Sequence, residues 1–158
     1  MKNLRLASKL VHADRRINKP QHGAVHESTN NSVLFAFDDV ADLESVFQGK
    51  QAGHVYSRSS SGSAVALQNI LNDMEGGVGA ATFATGMAAI SALMFSLLKA
   101  GDHIVVSRYL FGNTRSFFDS LAQFAIDISY VDTTNASDVE QALSPQTRMV
   151  FCESIANP

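Results

Sequence analysis

Apolar and polar positions follow two regimes along this chain. Up to about residue 60 the apolar residues form short islands separated by polar, His- and Asn-rich spacers, with no sustained period. One island, Val40-Ala41-Asp42-Leu43-Glu44-Ser45-Val46-Phe47, sets Val40, Leu43 and Phe47 on one helical face, with Asp38 or Asp39 available as its cap. Gln21-His22-Gly23 and Gln48-Gly49-Lys50 have the composition of turns. So long a stretch with so little structure of its own is uncommon inside a compact domain. The run Val33-Leu34-Phe35-Ala36-Phe37 needs an apolar surface to cover. The pattern therefore predicts an extended arm over residues 1–60 that lies on a neighbouring subunit, followed by a regular domain over 61–158.

From Ser63 onward the pattern is regular. Val65, Ile70, Leu71 and Met74 mark an amphipathic helix closing at Gly76-Gly77. A short strand, Ala80–Ala84, runs into a turn at Thr85-Gly86 and then a helix through Leu98. That helix has only Ser91 and Ser96 as polar residues between Met87 and Leu98, so it is expected to be buried on most of its surface. The β-branched run His103–Ser107 predicts a second strand. A helix follows from about Thr114 to Phe124 with Phe117, Phe118 and Leu121 inward, then a strand over Ile126–Val131. Asp138 to Leu143 predicts a short helix and Met149–Cys152 a fourth strand. Alternating strands and helices at this spacing, with nearly continuous apolar strands, predict an α/β fold: a mostly parallel sheet sandwiched by helices. Ligands in such sheets sit beyond the carboxyl ends of the strands. Thr85-Gly86, Arg108 to Asn113, Asp132-Thr133 and Glu153 to Asn157 fall on that edge. The chain stops at Pro158 just after a strand, so the expectation is a truncated domain within a larger protein.

Composition narrows the functional classes. The 158 residues carry a net charge of −3, which argues against a broad nucleic-acid surface. No apolar run reaches the roughly 20 residues needed to cross a bilayer, and no membrane partner is expected. The polar start Lys2-Asn3-Leu4-Arg5 has no apolar segment behind it, so no secretory signal is read. The single cysteine, Cys152, excludes an intrachain disulfide and fits a reducing compartment; the cytoplasm is expected. Its apolar surroundings predict an inert core thiol.

Chemistry concentrates at the Thr85-Gly86 turn. Thr85 can cap the following helix, and Gly86 lets the backbone approach a ligand closely. Free amides and the positive helix end there make a seat for phosphate. A dinucleotide fingerprint is not met: Gly77-Val78-Gly79 precedes the strand and no third glycine follows at the required spacing. His22 and His26 have i, i+4 spacing, but Gly23 lies between them and no third ligand follows, so no metal site is read.

Several motifs occur in a telling order: Tyr56-Ser57-Arg58, Phe83-Ala84-Thr85-Gly86-Met87-Ala88-Ala89, Gly101-Asp102-His103, Leu110-Phe111-Gly112-Asn113-Thr114 and Glu153-Ser154-Ile155-Ala156-Asn157-Pro158. Together they resemble the Cys/Met-metabolism family of pyridoxal-phosphate enzymes, which includes cystathionine γ-synthase, cystathionine γ-lyase, methionine γ-lyase and the O-acylhomoserine sulfhydrylases. The resemblance runs from about Leu10 and covers the N-terminal part of the family. It implies the incomplete large domain of a fold-type-I pyridoxal-phosphate transferase behind an N-terminal arm. It also implies pyridoxal 5′-phosphate as cofactor, a small amino-acid substrate and a homotetramer built as a dimer of dimers with shared active sites. The implied reaction belongs to transsulfuration and methionine biosynthesis: γ-replacement on an O-acylhomoserine by cysteine or sulfide, or γ-elimination.

The resemblance also implies roles at the site. Thr85, Gly86 and Met87 form the phosphate turn, and Tyr56 and Arg58 reach the same phosphate from a neighbouring subunit. Phe111 stacks on the cofactor ring. Glu153 and Asn157 belong to the E-x-x-x-N-P segment, whose Asn contacts the ring oxygen and the substrate carboxylate region. Two positions depart from the family. It usually has Tyr where Phe111 stands, so a phenol able to move protons is missing, and Ser61-Gly62-Ser63 replaces the usual Asn-Pro-Thr turn. The Schiff-base lysine, the acid at the pyridine nitrogen and the carboxylate-binding arginine all fall beyond Pro158 in the family. Lys2, Lys9, Lys19, Lys50 and Lys99 match no such motif. No catalytic residue is therefore expected in this piece, which alone should not catalyse. A degenerate binding or assembly module and a nucleotide-binding α/β domain are the alternatives.

Overall fold

The computed structural model describes residues 5–12 and 23–156. The chain divides into two compact units, residues 1–82 and 83–158.

The first unit carries α1 (Leu6–His12), α2 (Val40–Phe47) and α3 (Gly62–Glu75). Asp39 is the α2 cap, its Oδ1 accepting from the Ala41 amide at 2.8 Å. Ser61 caps α3 by accepting from the Ala64 amide at 3.3 Å, and Gly76 closes α3 with φ +63°, a left-handed turn that favours glycine. The segments on either side of α2 run back alongside each other, pairing Leu34 with Tyr56 in an antiparallel bridge.

The second unit begins with α4 (Gly86–Leu97) and continues through β1 (His103–Ser107), α5 (Gly112–Ser120), β2 (Asp127–Val131), α6 (Ala136–Ala142) and β3 (Thr147–Phe151). The three strands form a parallel sheet in the order β2-β1-β3. All five β1 residues are buried, as a central strand requires. His103 is tolerated there because its ring nitrogens meet the hydroxyls of Thr147 at 2.7 Å and Ser129 at 3.0 Å. Met94, Leu98, Ile104, Val106, Phe118, Leu121 and Ile126 make the core.

Several expectations need correction. Ala80–Ala84 is not a strand, because no described neighbour takes its backbone groups. The predicted helix to Phe124 is α5 followed by a 3-10 turn, Leu121–Phe124, which ends on Ala125 at φ +56°. Helix α4 is buried along one stripe only: Met94 is fully covered, whereas Leu93 and Leu97 are 43% and 58% exposed. A helix lying on a narrow sheet buries only the side facing it. For the same reason β3 alternates covered and exposed residues, and only β1 is buried on both faces. Cys152 is exposed, because β3 ends at Phe151 and the thiol falls just past it. Among the described residues no helix is long and apolar enough to cross a membrane.

Candidate active site at the carboxyl edge of the sheet

Parallel pairing brings the ends of all three strands to one edge: Ser107 registers with Val131, and Val106 with Phe151. The loops beyond those ends hold most of the predicted site residues of the second unit. Helix α4 delivers its first turn to the same region, since the Thr114 hydroxyl at the start of α5 lies 4.0 Å from the Met87 sulfur.

Within that turn Thr85 is committed to structure. Its Oγ1 accepts from the Ala88 amide at 3.0 Å and its carbonyl accepts from the Ala89 amide at 3.1 Å. The amides of Gly86 and Met87, the first two of the helix, have no acceptor among the described residues. A methyl group built on Gly86 would meet nothing within 4 Å, so open space stands beside Gly86 in the direction of its missing side chain. Two free donors at the positive end of a helix, beside a glycine with open space around its Cβ position, fit a phosphate.

Phe111 sits at the start of α5 as its cap residue, without a side-chain cap bond, and the residue is 49% exposed. The Phe111 amide donates to Glu153 Oε2 at 3.4 Å, which joins the loop after β1 to the segment after β3. The structure thus groups Thr85, Gly86 and Met87 in one turn, and Phe111 with Glu153. Asn157 lies outside the described residues.

Tyr56 and Arg58 belong to the first unit. The Arg58 guanidinium lies 4.8 Å from the Tyr56 ring centre, a cation–π contact that presents the two side chains together. The amides of Ser59 and Ser60 turn back onto the Tyr56 carbonyl at 3.0 and 3.2 Å. Ser61 then caps α3, so a serine begins the helix that follows Arg58.

Arg108, Tyr109 and Asp132, placed on this edge from the sequence but given no role there, make contacts that the sequence did not predict. Tyr109 donates its hydroxyl to Asp132 Oδ2 at 2.8 Å, and Arg108 pairs with Asp138 at 3.6 Å. Asp132 also accepts from the Thr134 amide and hydroxyl. These hydrogen bonds, Thr134 first and then Tyr109, hold the Asp132 carboxyl below its ordinary range, while the bond to Asp132 pushes the Tyr109 phenol up. The local signal for the Asp132 turn was Asp132-Thr133-Thr134-Asn135, whose composition favours an Asx turn. Among the described residues no group of three or more His, Cys, Asp or Glu could hold a metal, and His22 lies outside them.

The family described as Cys/Met metabolism PLP-dependent enzyme matches the chain over residues 7–158. The chain belongs to this family. Its similar members include L-methionine γ-lyase of Treponema denticola, 31% identical over all of this chain and 39% of the relative. O-succinylhomoserine sulfhydrylase of Pseudomonas aeruginosa is 35% identical over 91% of this chain and 35% of the relative. Among solved structures, metB of Corynebacterium glutamicum superposes with a TM-score of 0.88 at 25% identity, covering 99% of this chain and 39% of that one. A Campylobacter jejuni structure described as an O-acetylhomoserine (thiol)-lyase, with N′-pyridoxyl-lysine-5′-monophosphate, gives a TM-score of 0.89 at 24% identity. It covers 99% of this chain and 38% of that one, and supports the fold alone. The chain spans about two fifths of the length of these relatives. Family and fold therefore agree with a pyridoxal-phosphate transferase domain present in part.

Proposed function

We propose that this chain forms the phosphate-holding part of a pyridoxal-5′-phosphate enzyme of sulfur amino-acid metabolism. The reaction would be γ-replacement on an O-acylhomoserine by cysteine or sulfide, or γ-elimination from a related amino acid. The observation that carries this reading is the free pair of amides at Gly86 and Met87, on a parallel-sheet edge that also bears the half-exposed Phe111. Relatives named as a methionine γ-lyase and a sulfhydrylase support the substrate class.

Each residue has a physical task in this reading. The Gly86 and Met87 amides bind phosphate oxygens, and the Thr85 cap keeps those amides aimed. Phe111 orients the ring by stacking and, lacking a hydroxyl, moves no proton. Asn157 supplies amide contacts to the ring oxygen and the substrate carboxylate region. Arg58, with Tyr56, adds charge and a fork of donors to a neighbouring subunit's phosphate. This makes residues 1–60 an arm on another copy and the parent protein a cytoplasmic tetramer, a dimer of dimers. The bound cofactor supplies an electron sink for charge developing on the amino acid.

The test is Gly86→Ala in the full-length protein, followed by cofactor titration in the visible absorption. A methyl group at Gly86 clashes with no protein atom, so thermal unfolding should be unchanged. It intrudes on the phosphate seat, so the cofactor Kd should rise at least about tenfold, equivalent to roughly 1.4 kcal/mol. An unaltered Kd would remove the phosphate reading.

A further inference from the structure

Phe111 is half exposed, so packing alone does not fix the orientation of its ring. Its loop is instead braced from both sides. On one side the Arg108 amide donates to the Val131 carbonyl at 2.9 Å, and the Tyr109 hydroxyl donates to Asp132 Oδ2 at 2.8 Å. Asp132 is held in turn by the Thr134 amide at 3.0 Å and hydroxyl at 2.6 Å, both on its other oxygen. On the other side the Phe111 amide donates to Glu153 Oε2 at 3.4 Å. Within the loop, the Tyr109 amide donates to Ser107 Oγ at 3.2 Å. The two flanking strands thus each place one carboxylate just past their carboxyl end, and both carboxylates grip the loop that leaves the central strand.

We infer that Asp132 and Glu153 are positioning residues, which hold the 108–111 loop so that Phe111 presents its face to the cofactor. This rests on the reading of Phe111 given above. It changes the role of Glu153, which acts through the Phe111 amide and needs only an acceptor oxygen. A carboxylate working by charge on the cofactor or substrate would need its ionised form. Asp132 acts through Tyr109, and both oxygens are in use: one takes the phenol, the other anchors to Thr134.

The distinction can be measured on full-length holoenzyme and on its cofactor-free form. The readouts are the cofactor Kd and the induced circular dichroism of the bound cofactor, which reports ring orientation. E153A and Y109F should each raise Kd by about three- to tenfold, the range of one lost hydrogen bond, and reduce the induced signal. E153Q, which keeps an acceptor oxygen, should restore most of both. In an F111A background, E153A should add little. In the cofactor-free form, hydrogen exchange of the Phe111 amide should speed up in E153A and not in E153Q. Y109F keeps its ring and carries the test should E153A fail to fold.

Three outcomes would overturn the inference. They are E153Q as weak as E153A, E153A keeping its full effect without the Phe111 ring, and E153A and Y109F leaving both readouts unmoved. A separate result, F111A with unaltered Kd and induced signal, would instead overturn the reading of Phe111 on which the inference stands.

Discussion

Asp102 shows how a single side chain ties sequence neighbours to distant strands. It is 5% exposed, accepts from the Lys99 amide at 3.0 Å and from Arg148 Nε at 3.2 Å, and stands immediately before β1. The Lys99 amide is the main cause holding its carboxyl below the ordinary value of 3.8, with Arg148 adding to it against the opposing effect of burial. A folded-state value below the unfolded one means the ionised form stabilises the fold. That contribution is complete above 3.8 and disappears as pH falls through the lower folded value. Thermal midpoints of wild type and D102N should therefore differ at about pH 6 and converge toward about pH 2. A constant gap would show that Asp102 contributes by packing alone. Gly101-Asp102-His103 was legible as a motif, but Arg148 lies 46 residues away and no local pattern announced it.

At the scale of elements, short-range signals were the most legible. The α2 span, the Thr85 cap and the Gly76 stop follow from side chains acting within one turn of their own backbone. The inward turn of Phe118 and Leu121 also followed from helical spacing, and both are fully buried. Phe118 packs against Phe151 with ring centres 5.0 Å apart, which joins α5 to β3. F118A should cost about 3–5 kcal/mol in denaturant unfolding, because the cavity lies between a helix and the sheet and cannot close without moving one of them. A loss below about 1 kcal/mol would mean that the core repacks freely. What spacing did not foretell was how much of α4 is covered. An apolar helix is written the same way whether one side or all sides meet a partner. Nor did the apolar run at Ala80–Ala84 become a strand, since strandhood depends on a neighbour elsewhere in the chain.

The whole molecule raises the question of where Tyr56 and Arg58 act. Their pairing within the first unit is a property of one chain; service to another copy's phosphate is the proposal. Mixing full-length R58A with G86A tests it, because a mixed pair of subunits would hold one site with both Arg58 and Gly86 intact. Each variant alone should bind cofactor weakly, and the mixture, after subunit exchange, should recover a fraction of tight sites. No recovery despite exchange would place Arg58 in its own subunit's site or in none. The family was readable because five motifs keep their order along the chain, and the match over residues 7–158 agrees. By itself, the sequence determined the capped turn at Thr85-Gly86 and the alternation of strands and helices from β1 onward, since each depends on residues close together in the chain. Only the tertiary structure decided which helix faces are covered, that Cys152 is exposed, and that Asp132 and Glu153 converge on the loop carrying Phe111. Those outcomes depend on the parallel register of three strands, which brings together side chains that no local pattern links.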